Sequence, residues 1–232
     1  MASKWNKFVR AFVDNEGYLT VIEGLKATAK IALFGFLIGL FIGIVVALVK
    51  IASDRNRVAK AFSVVGSIYV GFFRGTPIIV QLLIGHYVLF PLIGVHVNNL
   101  VEAIVIFGLN SGAYVSEIMR SGVLSVDIGQ TEAGRAIGLS YFTTMRRIVL
   151  PQAFKNSLPA LGNELIALIK DTSVASFVAV VDLTQSFRLL ASGTYEFIVP
   201  YLILALVYLV IVLTLTLIIK LVERRLRKGD RR

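Results

Sequence analysis

Long apolar stretches alternate along the chain with short clusters of basic residues. Residues 31–49 form a charge-free run of 19 and residues 197–219 another of 23, each long enough to cross the hydrocarbon core as a helix. Between them the pattern is interrupted. Residues 61–73 are apolar up to Arg74, and 75–101 carry no Asp, Glu, Lys or Arg but are cut by Pro77 and Pro91, so 61–90 predicts one broken crossing. A further stretch over 101–119 is interrupted by Glu102 and Glu117, and one over 158–181 by Glu164, Lys170 and Asp171. The expected architecture is an all-α membrane protein, a single domain over 1–232 with five crossings.

An odd number of crossings places the two ends on opposite sides, and the distribution of Lys and Arg decides which is cytoplasmic. One side holds the clusters around Lys50, Arg55, Arg57 and Lys60, then Arg120 to Lys155, then Lys220 to Arg232, with 16 basic residues. The other holds six: Lys4, Lys7, Arg10, Lys26, Lys30 and Arg188. The N-terminus is therefore expected outside and the C-terminus, with a basic tail over 220–232, in the cytoplasm. The segment before the first span is broken by Asp14, Glu16 and Glu23 and lacks a compact apolar core with a small-residue cleavage site, so that span is expected to stay uncleaved.

Composition agrees. The chain is 56% hydrophobic and 16% charged, where soluble domains carry about a quarter charged residues. The net charge of +10 is explained by membrane orientation, since no span offers the basic face interleaved with aromatics that nucleic acid requires. With no cysteine there is no disulfide framework, thiolate metal site or cysteine nucleophile.

Gly35, Gly39 and Gly43 recur every four residues with Ala47 following, which lines one helical face with small side chains and suits close helix packing. The frequency of glycine in membrane helices is the plainer explanation. In the first segment, 1–25, Trp5, Phe8, Val9, Phe12 and Val13 stand at helical spacing among Lys4, Lys7 and Arg10. An interfacial helix and an ordinary surface helix both fit.

The region 125–155, between the third and fourth expected crossings, is neither random nor low-complexity. Thr131, Glu132, Ala133, Ala136, Ile137 and Leu139 predict a short helix with an apolar stripe that ends at Gly138 or just beyond. Pro151 then starts or bends the next piece. A short, half-apolar helix fits a groove in a partner, and it equally fits a lipid surface.

Glu132-Ala133-Gly134, three residues, Gly138, nine residues, Ile148, one residue, then Leu150-Pro151 resembles the EAA loop of ABC-importer permeases. Gly134 replaces the usual second alanine. Four blocks, two of which overlap that loop, resemble the polar amino-acid subgroup: FRGTPIIVQLL over 73–83, GAYVSEIMRSG over 112–122, GQTEAGRAIGLS over 129–140 and LPQAFKNSLPALGNELIALIKDTSVAS over 150–176. The resemblance implies a type I ABC-importer transmembrane domain with five helices, in the cytoplasmic (inner) membrane of a prokaryote. It would pair with a second copy or a related permease, two cytoplasmic ATPase subunits and an extracytoplasmic amino-acid-binding protein. The ATPase-coupling residues it implies are Glu132, Ala133, Gly134, Arg135, Gly138 and Pro151. This chain contains no GxxxxGK[ST] phosphate loop, so ATP and magnesium are expected on the partner ATPase, with no cofactor or enzymatic activity here.

Ionisable groups within apolar spans mark either a pathway or a neutralised pair. Arg74 falls ~20 Å along its helix from Lys60, beside the helix-breaking Gly75, Thr76 and Pro77. On one reading Arg74, Thr76 and Gln81 border the path of an amino acid, Arg74 taking its carboxylate and Glu117 its ammonium group. Tyr114, Ser116, Lys170, Asp171 and Thr172 are further candidates. On the other, Arg74 or Lys170 simply pairs with Glu117 or Asp171. His86 and His96 have no carboxylate at ligand spacing, so they are read as interfacial and no metal site is expected. An ion-driven secondary transporter or channel is the rival function. It would show inverted repeats, and five crossings do not divide into two equal halves.

Overall fold

Residues 2–52 and 57–227 are described by the computed structural model, and every regular element among them is helical. Arg55, Lys228, Arg231 and Arg232, with the end of the 220–232 tail, lie outside those residues. Helix α1 spans Ala2–Val9 and runs into a π turn over Arg10–Asp14. Helix α2, Gly17–Ala52, has 36 residues and is ~54 Å long, so the charge-free run of 31–49 occupies only part of it.

Helix α3, Arg57–Gly75, stops where expected. Pro77 has extended backbone and caps α4, Ile78–Ile84, because proline excludes helix at the residue before it. A π turn over Gly85–Leu89 and a short α5, Phe90–Leu92, complete that segment. Then follow α6 (Asn99–Leu124), α7 (Ile128–Ala136), α8 (Tyr141–Thr144), a π turn over Met145–Val149, and α9 (Leu150–Asp171) with Pro159 inside it. A 3-10 turn, Thr172–Val178, leads to α10 (Leu183–Thr194) and α11 (Ile198–Arg227).

Among the described residues, α2, α6 and α11 are each long and apolar enough to cross a membrane. The pair Arg57–Gly75 and Ile78–Leu92, bent by 109° at its break, makes a fourth crossing if it is one span. The stretch 158–181 does not stand as a single helix. Residues 158–171 belong to α9, which begins at Leu150, carries Lys155, Glu164, Lys170 and Asp171, and gives way at Thr172 to the tighter turn.

The chain divides into two compact units. The first comprises Met1–Leu37, Thr76–Gly108 and Leu165–Leu215. Ile31, Leu82, Phe107, Leu168 and Val178 form its main core. Phe8 joins Leu183, Phe187 and Val199 in a second cluster, and Lys4 Nζ lies 3.5 Å from a Glu196 oxygen. The apolar stripe of α1 is thus docked onto α10 and α11. Burying a side chain such as Phe8 contributes about 1.5–3 kcal/mol, which explains why the stripe faces protein. Asp182, fully buried, caps α10 by accepting from the Thr184 and Gln185 amides at 3.0 Å. Burial pushes its carboxyl above the ordinary value, and those two donors oppose the shift.

His86 Nδ1 bonds Glu102, which is 6% exposed in the first turn of α6. The reading of His86 as a lone interfacial residue is therefore corrected: its carboxylate partner comes from another helix. In the same unit a Cβ on Gly35 would stand 3.2 Å from Phe107.

The second unit comprises Ile38–Gly75, Leu109–Glu164 and Thr216–Arg232. Here a Cβ on Gly39 would stand 2.6 Å from Ser111, and one on Gly43 2.5 Å from Val115. Both lie closer than ordinary carbon contacts of ~3.5–4.0 Å. The glycine stripe is a packing seam against α6, whose residues 107, 111 and 115 follow the same four-residue step.

Candidate functional site

The loop expected to couple lies wholly in the second unit and is built as a rigid piece. Asp127 starts α7, its carboxylate accepting from the Gly129 amide at 2.6 Å. That cap begins the helix at Ile128, earlier than the apolar stripe alone predicts. The helix also ends earlier, at Ala136. Gly138 has φ +78°, a backbone that glycine adopts without strain. Its amide bonds the Arg135 carbonyl at 3.0 Å, and the Leu139 amide bonds Gly134 at 3.0 Å, satisfying carbonyls left over at the helix end.

Ser140 then caps α8, accepting from the Thr143 amide at 3.2 Å. Gly134 is buried against Thr144, itself fully buried, with its hydroxyl donating to the Ser140 carbonyl at 3.1 Å. A Cβ at Gly134 would stand 2.6 Å from Thr144 Cγ2 and 2.7 Å from Oγ1. Glycine in place of the second alanine is thus what lets α7 lie on α8. Pro151 stands at the second position of α9, where its missing amide proton costs little. Two side-chain bonds tie the loop to α9: Gln152 to Gln130 at 3.3 Å and Asn156 to Ser125 at 2.9 Å.

On this frame Glu132, Ala133 and Arg135 are exposed. So are three apolar side chains, Ile128 at 74%, Ile137 at 74% and Phe142 at 72%. Ile128 and Phe142 were not singled out from sequence. Phe142 falls beyond the helix whose stripe was legible, and only the turn at Gly138 brings α8 beside α7.

A second feature of this unit is a polar cavity of about 660 Å³. Arg74, Tyr114, Glu117, Arg120, Ser121 and Asn156 are among its lining residues. Arg74 and Tyr114 thus meet, the guanidinium carbon lying 5.5 Å from the ring centroid. Such a contact contributes about 0.5–1 kcal/mol and holds the cation in place. Beside it, the Asn110 amide donates to the Phe73 carbonyl at 3.4 Å, one of the groups left over where α3 ends.

Glu117 is differently employed than its sequence suggested. Lys50 Nζ lies 2.9 Å from one of its oxygens and Arg120 Nη2 2.8 Å from the other. Two cations already neutralise it, and through Lys50 it ties α2 to α6. Among the described residues neither Arg74 nor Lys170 forms an ion pair with Glu117 or Asp171.

The remaining candidates do not join this cavity. Ser116 is fully buried and donates to the Ala113 carbonyl at 2.8 Å. Gln81 is buried and donates to the carbonyl and hydroxyl oxygens of Thr76, each at 2.9 Å, closing the gap that Pro77 opens. Thr172 is buried with its hydroxyl on the Ile169 carbonyl at 2.7 Å. Lys170 and Asp171 are exposed at the end of α9.

The family described as binding-protein-dependent transport system inner membrane component matches residues 26–228. The arginine transport system permease protein ArtQ of Bacillus subtilis (strain 168) is 40% identical over 210 residues, covering 90% of this chain and 94% of that protein. The putative glutamine transport system permease protein GlnP of Rickettsia prowazekii (strain Madrid E) is 37% identical over 208 residues, 90% and 93% of the two. In fold the chain is similar to the crystal structure of an amino acid ABC transporter with histidines. The TM-score is 0.83 at 36% identity, with 92% of this chain and 97% of that one covered.

Proposed function

From the premise that this chain belongs to the binding-protein-dependent transport system inner membrane components, an ABC transporter permease family, we propose that it is the translocating subunit of an ATP-driven importer for a polar or charged amino acid. The substrate is delivered by a solute-binding protein outside the membrane. Five crossings, with the 158–181 region as the fourth, put the N-terminus outside and the loop of 125–155 in the cytoplasm, where two ATPase subunits dock on it. A second permease copy or a close relative completes the pathway.

One observation carries this reading: the capped, glycine-packed element of α7 and α8 displays Ile128, Ile137 and Phe142 around Glu132 and Arg135. Burying three such side chains in a partner groove is worth about 4–9 kcal/mol at most, before association costs are subtracted. A rigid insert of this kind passes the motion of the ATPases to the helices that continue from it, since α9 begins inside the loop. In the polar cavity Arg74 and Arg120 outnumber Glu117, an excess of positive charge suited to a carboxylate. Arg74, steadied on Tyr114, is the group assigned to it.

The test is to purify the complete importer with Ile137→Ser and Phe142→Ser together. The expected outcome is loss of ATPase subunits from the membrane pair, and loss of hydrolysis stimulated by loaded binding protein, with the permease still folded. Undiminished ATPase retention, or uptake by this chain alone on an ion gradient, overturns the proposal.

A further inference from the structure

The first unit contains a cavity of its own, of about 480 Å³. Its wall is formed by Glu23, Lys26 and Lys30 of α2, by Asn98 and Asn99 where α6 begins, and by Ala179. Lys26 and Lys30 stand one helical turn apart, so both ammonium groups serve one side of α2. Glu23 completes the same side, 2.7 Å from Lys26 Nζ.

The far wall is fixed in position. Asn99 donates to the Val178 carbonyl at 2.9 Å, and Ala179 is held at φ 58°, a left-handed backbone that persists only where its surroundings impose it. Asn98 uses its side-chain oxygen to accept from the Leu100 amide at 2.7 Å and the Val101 amide at 3.3 Å. Its remaining bonding capacity is therefore the amide nitrogen, a donor. The cavity combines two ammonium groups and an amide donor with a single carboxylate, and so suits an anion that carries a cation a few bonds away.

Position selects among such molecules. Lys30 is the last charged residue before the charge-free run, and the next turns of α2 expose Leu33 at 52%, Phe34 at 48% and Leu37 at 49%. The charged cluster thus stands at the edge of an apolar surface long enough for acyl chains, where lipid phosphates meet lysine ends.

We propose that this cavity binds the headgroup of a zwitterionic phospholipid, Lys26, Lys30 and the Asn98 amide taking the phosphodiester and Glu23 the ammonium. The proposal depends on the orientation given above only for which leaflet supplies the lipid.

The test uses the complete importer in detergent, titrated with short-chain phosphatidylethanolamine or phosphatidylglycerol and read by native mass spectrometry. The wild type is expected to retain phosphatidylethanolamine in preference. Lys26→Gln with Lys30→Gln should weaken retention roughly tenfold or more, and Glu23→Gln should abolish the preference while keeping phosphate binding. Equal retention by wild type and the double lysine variant overturns the site, as does displacement of the lipid by free amino acid. Because the chain has no cysteine, labelling of Lys30→Cys by a membrane-impermeant thiol reagent reports the orientation separately. Labelling only from the cytoplasmic side rejects that orientation and leaves the lipid titration to decide the site.

Discussion

Replacing Gly134 with alanine sets two effects of similar size against each other. In a helix interior alanine is favoured over glycine by about 1 kcal/mol. The new methyl group would stand 2.6 Å from Thr144 Cγ2 and 2.7 Å from Oγ1, inside the ~3.5–4.0 Å of ordinary contact, and overpacking of this kind costs about 1–3 kcal/mol. Thr144 is fully buried and its hydroxyl is bonded to the Ser140 carbonyl, so it cannot turn aside without losing that bond. The clash therefore wins. Gly134→Ala should destabilise the loop by up to about 2 kcal/mol and push α7 away from α8. Thr144→Ala removes the two nearest atoms, so in the double variant the relieved clash should appear as a coupling of about 1–3 kcal/mol between the two sites, and the alanine's helix preference should show again. The assay is a double-mutant cycle on the purified importer, with thermal denaturation for stability and binding-protein-stimulated ATP hydrolysis for coupling. A stabilised single variant with normal stimulation refutes the reasoning, and so does a double variant no better than Gly134→Ala.

Two further outcomes concern carboxyl groups. Glu117→Gln leaves Lys50 and Arg120 beside a neutral amide. It should cost about 2 kcal/mol while leaving the transport KM unchanged; a KM raised many-fold with unaltered Tm would restore Glu117 to the substrate path. Asp182 has a carboxyl pushed up by burial, so the folded protein holds its proton more tightly than the unfolded chain does, where the value is about 3.9. The sign of the linkage is that this group's contribution to stability falls as pH rises through the carboxylate range. Asp182→Asn, which loses one capping bond worth about 1 kcal/mol and does not titrate, should show its largest Tm deficit at the acidic end. The deficit should shrink towards neutral pH, and one that widens contradicts the assignment.

Faces were legible in the sequence, and partners were not. The four-residue step of Gly35, Gly39 and Gly43 announced a close-packed seam, but nothing in it named Phe107, Ser111 and Val115 as the other side. Pro77 marked the end of α3 because its chemistry is local. The same holds for Gly138, whose positive φ closes α7. Glu117 looked like a free carboxylate in an apolar span because Lys50 is 67 residues away along the chain, and His86 looked solitary because Glu102 belongs to another helix. Ser116 and Thr172 stood out in the sequence by polarity, and each has its hydroxyl on the carbonyl three residues earlier. Hydropathy over 158–181 does not register that the helix there, α9, already begins at Leu150 and ends at Asp171.

The docking of α1 bears on the order in which this protein is made. Phe8 and Lys4 rest on Leu183, Phe187, Val199 and Glu196, residues that leave the ribosome only after nearly all of the preceding spans. Until then the stripe of α1 has only the start of α2, at Tyr18 and Val21, to pack against, and lacks most of the surface that buries it. Its settling is accordingly a late event in biogenesis, one that marks chains whose last helix has arrived and leaves a sticky, protease-sensitive end on those whose synthesis stopped short.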